Sequence, residues 1–158
     1  MKSVFLGLGS NLGDRRATLC RAYEEIERLV GPIVARSAFY ESRPWGFQSP
    51  HQFLNSVVCC HTFLMPREVL RATQHVEQML GRTTKSVGGI YHDRPIDIDI
   101  LLYDNLHVDE ADLRIPHPLM LQRDFVMTPL LEVLSVLAGR KVQSHTNIFY
   151  YDNELRRI

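Results

Sequence analysis

Arg94-Pro95-Ile96-Asp97-Ile98-Asp99-Ile100-Leu101-Leu102 alternates isoleucine with aspartate from residue 96 to 100, which is the period of a β-strand. Successive side chains of a strand point to opposite faces, so Ile96, Ile98 and Ile100 are expected on one face and Asp97 and Asp99 on the other. The isoleucines suit a core. The two carboxylates then stand roughly 6–7 Å apart along the strand. At an effective dielectric of about 20 they repel by roughly 2–3 kcal/mol, a penalty that a bound cation removes. Adjacent carboxylates are hard oxygen ligands, suited to magnesium ions that carry substrate phosphates. An isolated Asp-x-Asp is more often a half-exposed strand with a solvated acidic face, so its surroundings must decide.

Upstream, Val4-Phe5-Leu6-Gly7-Leu8 reads as a buried strand and Gly9-Ser10-Asn11-Leu12-Gly13 as a turn. Asp14 is placed to cap a helix running to about Leu29, with Leu19, Tyr23, Ile26 and Val30 at helical spacing and Gly31-Pro32 at its end. Residues 33–40 and 53–64 read as strands. The loop 44–50 between them carries Trp45 and Phe47, aromatic residues that suggest a ligand surface or a loop folded onto itself. Pro66 fits the first turn of a second helix with Val69, Leu70, Thr73, Val76 and Leu80 inward and Gly81 as its cap. The polar loop 82–93 leads into the acidic strand. A turn at Asp104-Asn105, a strand at 106–108 and a helix over 125–137 containing Pro129 follow, and the tail from Gly139 has no assigned element. Strand, helix, strand, strand, helix, strand is the order of the ferredoxin-like α+β fold, a largely antiparallel sheet covered by helices, here as one domain over residues 1–158.

Eighteen basic and eighteen acidic residues balance, which argues against bulk electrostatic binding to nucleic acid or an anionic membrane. Cys20, Cys59 and Cys60 form neither a C-x-x-C pair nor an even framework, so free thiols in a reducing compartment are expected. The short apolar run at the N-terminus is interrupted by glycines, unlike a secretory segment, and a cytoplasmic protein is expected. Glycines 7, 9 and 13 miss the dinucleotide spacing by one residue, no P-loop occurs, and the seven histidines make no zinc pattern.

Several residues allow two readings. Gln74 and Glu77 are neighbours on the second helix, and helix evidence alone favours a solvated face. Arg82 and Arg94 bracket the polar loop and together suit an anionic ligand, although each alone reads as a surface arginine. Asn55 shares a strand face with Phe53 and Val57, serving either the mixed polar edge of a heterocycle or a neighbouring loop. His117, between Pro116 and Pro118, is either a ligand contact or a structural histidine.

Taken in order, Gly9-Ser10-Asn11-Leu12-Gly13, Phe39-Tyr40 with Pro44 and Gly46, Phe53-Leu54-Asn55, Glu77 with Gly81-Arg82, Arg94, the acidic strand, Pro116-His117-Pro118, Arg123-Asp124-Phe125 and Pro129-Leu130 resemble the 6-hydroxymethyl-7,8-dihydropterin pyrophosphokinases of folate biosynthesis. The resemblance implies transfer of pyrophosphate from ATP to the pterin hydroxymethyl group with release of AMP. It implies two magnesium ions on Asp97 and Asp99, and stacking of the pterin between Phe53 and Phe125. Asn55 would read the ring's polar edge, and Ser42, Pro44, Trp45 and Gly46 would complete that pocket. Gln74, Glu77, Ile100, Leu113, Arg114, His117 and Arg123 match nucleotide-contact positions, and Arg82 and Arg94 match mobile-loop arginines that gather phosphates.

The chain departs from the family pattern at Thr84-Lys85 and at Tyr91-His92-Asp93. The loop is expected to be mobile in the free protein and to close over ATP. Such chemistry rests on positioning and charge neutralisation, so no side-chain nucleophile or general base is assigned. A monomer is expected. The alternatives are a ferredoxin-like binding module, for example an RNA binder, and another magnesium-dependent nucleotidyl transferase. The former lacks a basic sheet face with an aromatic run, and the latter would not need Asn55 between two aromatics.

Overall fold

The computed structural model describes residues 1–82, 90–139 and 155–158. Of the segment expected to be mobile, about 83–93, residues 83–89 fall outside the described residues. The fold is built on β1 (Lys2–Ser10), α1 (Arg15–Leu29), β2 (Ile33–Arg36), β3 (Tyr40–Ser42), β4 (Phe53–Thr62), α2 (Pro66–Met79), β5 (Asp97–Tyr103), β6 (Val108–Glu110), β7 (Leu113–Ile115), α3 (Asp124–Leu137) and β8 (Leu155–Arg157).

Local signals set the helix starts. Asp14 Oδ1 accepts from the Ala17 amide at 3.1 Å, and Glu68 Oε1 accepts from Met65 N at 2.9 Å beside Pro66. α1 stops where Gly31, at φ +152°, passes so close to β4 that an added Cβ would lie 1.9 Å from the His61 carbonyl oxygen.

The strands form an antiparallel sheet in the order β5–β1–β4–β3–β8, with β2 also on β4. This is the expected ferredoxin-like α+β arrangement. Val4, Leu6 and Leu8 of β1 and the three isoleucines at 96, 98 and 100 meet Leu19, Ala22, Ile26, Val69 and Val76 of α1 and α2 on one face. Each buried Val, Leu or Ile side chain among these is worth about 1.5–3 kcal/mol. Phe5, Val57, Cys59 and Leu101 meet Val126, Leu130 and Val133 of α3 on the other. Cys59 and Cys60 thus face opposite cores, and burial pushes their thiols up to about 11 and about 12.

Four sequence expectations change. The strand expected over 33–40 is two, β2 and β3. Ser37 makes the break: its Oγ accepts from Val57 N at 3.0 Å and donates to Ala38 O at 2.7 Å, bending the chain between them. Gly9 and Ser10 belong to β1 and not to a turn. The strand expected at 106–108 is β6, which pairs with β7 in a separate hairpin. β8, assigned no element from sequence, extends the sheet edge beyond β3. No helix of the described residues is long and apolar enough to cross a membrane.

Candidate active site

α3 covers only part of its sheet face, and the uncovered part is floored by glycine. Gly9 lies in register between Asn55 of β4 and Asp97 of β5, and Gly7 between Val57 and Asp99. All six residues lie on the face away from α1 and α2, by the alternation that places Phe5 and Leu101 there. Two strand spacings separate Asn55 from Asp97, roughly 9–10 Å. A Cβ on Gly9 would fall 3.2 Å from Asn55 Oδ1 and 3.4 Å from the Phe53 ring. The glycines therefore keep open a trough between an amide and an acid pair.

One cavity above this floor brings together Ser42, Trp45, Phe53, Asn55, Arg94, Asp97, Asp99, Arg123 and Phe125. Pro44 and Gly46 line an adjoining one with Trp45 and Phe125. Asn55 is 4% exposed, and its Nδ2 donates to Tyr40 O at 3.1 Å and Ser42 Oγ at 2.8 Å. A carbonyl oxygen can only accept, so the amide's orientation is set by this pairing. Its amide donors are used inside the protein.

The two arginines that bracket the loop are placed unlike each other. Arg82 is buried, not a loop side chain reaching outward. Its Nη1 donates to Glu77 Oε2 at 3.1 Å, Asp97 Oδ1 at 2.6 Å and Ile96 O at 3.0 Å. Glu77, expected on a solvated helix face, is 2% exposed and also accepts from Ile98 N at 3.0 Å, tying α2 to β5. Arg94 Nη2 lies 3.8 Å from Asp97 Oδ2, and its guanidinium sits 4.6 Å over the Phe53 ring. Burial lowers this guanidinium's pKa from its ordinary value, and Asp97 opposes the shift.

Arg123, expected at the nucleotide, joins the aromatic side of the cavity. It lies 4.4 Å from the Trp45 ring and 5.7 Å from that of Phe125, and donates to the Tyr91 hydroxyl at 3.1 Å.

The other nucleotide-position residues surround β5 away from the cavity. Gln74 is exposed on α2. Arg114 on β7 pairs with Asp109 at 3.4 Å. His117 N donates to Leu101 O at 3.0 Å, and its Nδ1 accepts from Leu119 N at 3.2 Å. Ile100 and Leu113 point into the core, so any ligand contact there is a main-chain one.

Three kinds of contributor were missed from sequence. The floor glycines Gly7 and Gly9 needed the strand register to be seen. Tyr91 was visible as an aromatic residue beside Arg94, and it packs against Gly46, whose φ of +81° and 2.9 Å Cβ clearance exclude a side chain. Asn11 is the third: its Oδ1 accepts from Arg94 N at 2.8 Å, while its Nδ2 donates to Asp93 Oδ1 at 2.7 Å and His51 O at 3.1 Å. It pins the backbone that carries Arg94.

Among the described residues no group of three or more His, Cys, Asp and Glu side chains gathers to hold a metal. Two carboxylates alone suit a hard cation whose other ligands are waters and substrate phosphates. Acid pair, arginines and aromatic residues line one cavity on a ferredoxin-like sheet, a set suited to a group-transfer enzyme that joins an anionic co-substrate to a flat ring. Residues 5–135 match the family model for 7,8-dihydro-6-hydroxymethylpterin-pyrophosphokinase. A 2-amino-4-hydroxy-6-hydroxymethyldihydropteridine pyrophosphokinase of Porphyromonas gingivalis is 54% identical over 134 residues, 84% of this chain and 91% of that one. The enzyme of the same name from Aquifex aeolicus is 42% identical over 133 residues, 84% of this chain and 81% of its own length. A solved HPPK-DHPS structure in complex with substrates superposes with a TM-score of 0.68 at 14% identity, over 84% of this chain and 40% of that longer one, a likeness of fold.

The chain belongs to the 7,8-dihydro-6-hydroxymethylpterin-pyrophosphokinase family. It is an ATP-dependent pyrophosphokinase, a transferase of folate biosynthesis acting on hydroxymethyldihydropterin.

Proposed function

We propose that the trough between Asn55 and the acid pair is where the two substrates meet. The single observation that carries this reading is the register that puts Asn55, Gly9 and Asp97 in one row across three strands. The pterin ring stacks between Phe53 and Phe125, takes an N–H hydrogen bond to Asn55 Oδ1, and is enclosed by Ser42, Pro44, Trp45 and Gly46. Its hydroxymethyl group then points along the trough toward Asp97 and Asp99, the residues that would hold two magnesium ions. Ions bound there would supply charge neutralisation and orientation for the ATP phosphates. The hydroxymethyl oxygen attacks the β-phosphorus and gives up its proton to water, the bond from that phosphorus to the α–β bridging oxygen breaks, and AMP leaves with that oxygen.

Arg94 leaves Phe53 to meet the phosphate chain, while Arg82 stays buried and sets the carboxylate of Asp97. Gln74, Glu77, Ile100, Leu113, Arg114 and His117 form the nucleotide side, Glu77 through its hold on β5, and Arg123 borders both substrates. The protein works as a monomer of one domain over residues 1–158 in the cytoplasm, with ATP and the pterin as partners and neither nucleic acid nor membrane.

Incubation with ATP, magnesium and 6-hydroxymethyl-7,8-dihydropterin is expected to yield AMP and the pterin diphosphate. ADP as the nucleotide product would overturn the attack at the β-phosphorus. Asn55→Ala is expected to weaken pterin binding by roughly 1–3 kcal/mol, since the ring donor is left unpaired, with ATP affinity measured alone unmoved. An equal loss for both ligands in paired titrations would reassign Asn55 to support of the sheet.

A further inference from the structure

β8 lies beyond the family match, which ends at residue 135, yet it pairs with the outer edge of β3, the strand whose Tyr40 O and Ser42 Oγ accept from the Asn55 amide of β4. Tyr40 pairs with Arg157, Glu41 with Arg156 and Ser42 with Leu155, and Ile158 N donates to Phe39 O at 2.8 Å. A three-residue strand at a sheet edge holds its register weakly on backbone bonds alone. Here side chains pin it. Arg157 Nη2 donates to Glu132 Oε1 of α3 at 3.1 Å, and the same carboxylate accepts from Ala38 N at 3.1 Å and from the Tyr40 hydroxyl. Tyr40 is fully buried and the Glu132 side chain is 8% exposed, and Arg157 is the counter-charge paired with this largely enclosed carboxylate.

The network ends at the pocket. Tyr40 O and Ser42 Oγ, both on β3, are the two acceptors that orient Asn55, and Leu155 lines the cavity beside Pro44 and Phe125. Nothing else in the proposed reaction uses Arg157 or Glu132.

We infer that the C-terminal strand is a positioning element for pterin recognition, with Arg157 acting through Glu132 and Tyr40 to hold β3 where Asn55 presents its Oδ1 to a ring N–H donor. This rests on the assignment of Asn55 to the pterin.

The test titrates the full chain with 6-hydroxymethyl-7,8-dihydropterin at saturating magnesium and non-hydrolysable ATP analogue. It compares wild type, Arg157→Met, Arg157→Lys, Asn55→Ala and the Arg157→Met/Asn55→Ala double variant. Arg157→Met, which keeps the apolar stem, is expected to raise the pterin Kd about five- to tenfold, the scale of one hydrogen bond, and to leave the affinity for the ATP analogue alone unchanged. Arg157→Lys restores most of the loss. In the Asn55→Ala background the Arg157→Met step shrinks to about twofold or less, because the two act on one contact. If Arg157→Met fails to fold, Glu132→Gln carries the same expectation. An unmoved pterin Kd, or a full loss that persists in the Asn55→Ala background, would overturn the role of β8. A wild-type chain that binds ATP analogue but no pterin would instead overturn the pocket assignment, and this inference with it.

Discussion

Asp97→Ala and Asp99→Ala each lower turnover by roughly a hundred- to ten-thousandfold at saturating magnesium, with far-UV circular dichroism unchanged. The fold survives because β5 is anchored from its other face, where Ile96, Ile98 and Ile100 are buried against the helices. The activity does not, because on the proposed reading hard cations carry the phosphate chain, and among the described residues lining this cavity there is no second acid pair for them. Asp99 gives the cleaner test. Asp97 also accepts from Arg82, so its loss removes one of that arginine's partners, while Glu77 and Ile96 O remain. Steady-state assays across a magnesium titration check the expectation. Near-normal kcat in either variant would remove the acid pair from the reaction.

Glu77→Ala is expected to destabilise the protein by about 3–5 kcal/mol, the cost of breaking a buried ion pair from one side. For a chain of this length that lowers the melting temperature by roughly 6–20 °C. The carboxylate has two jobs that alanine cannot do: it partners the buried Arg82 and it satisfies the Ile98 N–H at the outer edge of β5. Denaturant unfolding measures the loss directly. If stability is unmoved and only ATP affinity falls, Glu77 is a nucleotide ligand and its burial beside Arg82 is incidental. Glu77→Gln separates the two further, since it keeps an acceptor for Ile98 while removing the charge that faces Arg82.

What could be read from the residues in order was local. The acidic strand, the Asp14 cap, Pro66 at a helix start and the inner stripes of α1 and α2 each depend on side chains within a few positions of one another, where period and capping chemistry suffice. The same locality put Asp97 and Asp99 on one face and their isoleucines on the other. Family resemblance added roles for Phe53, Asn55 and Phe125 that no period contains.

The tertiary structure decided whatever depends on partners far apart in sequence. Gly9 faces both Asn55 and Asp97, 46 and 88 positions away, only because of strand register, and that register turns two glycines into the floor of a pocket. Glu77 reads as a polar helix residue until the edge of β5 arrives to bury it. Residues 33–40 read as one strand because the Ser37 hydroxyl finds its partner on β4, 20 residues on. β8 carries too few residues to announce a strand, and only the edge of β3 and the Glu132 carboxylate make it one. Backbone propensity is set by neighbours in the chain, whereas burial, charge pairing and register are set by whichever segment packs alongside.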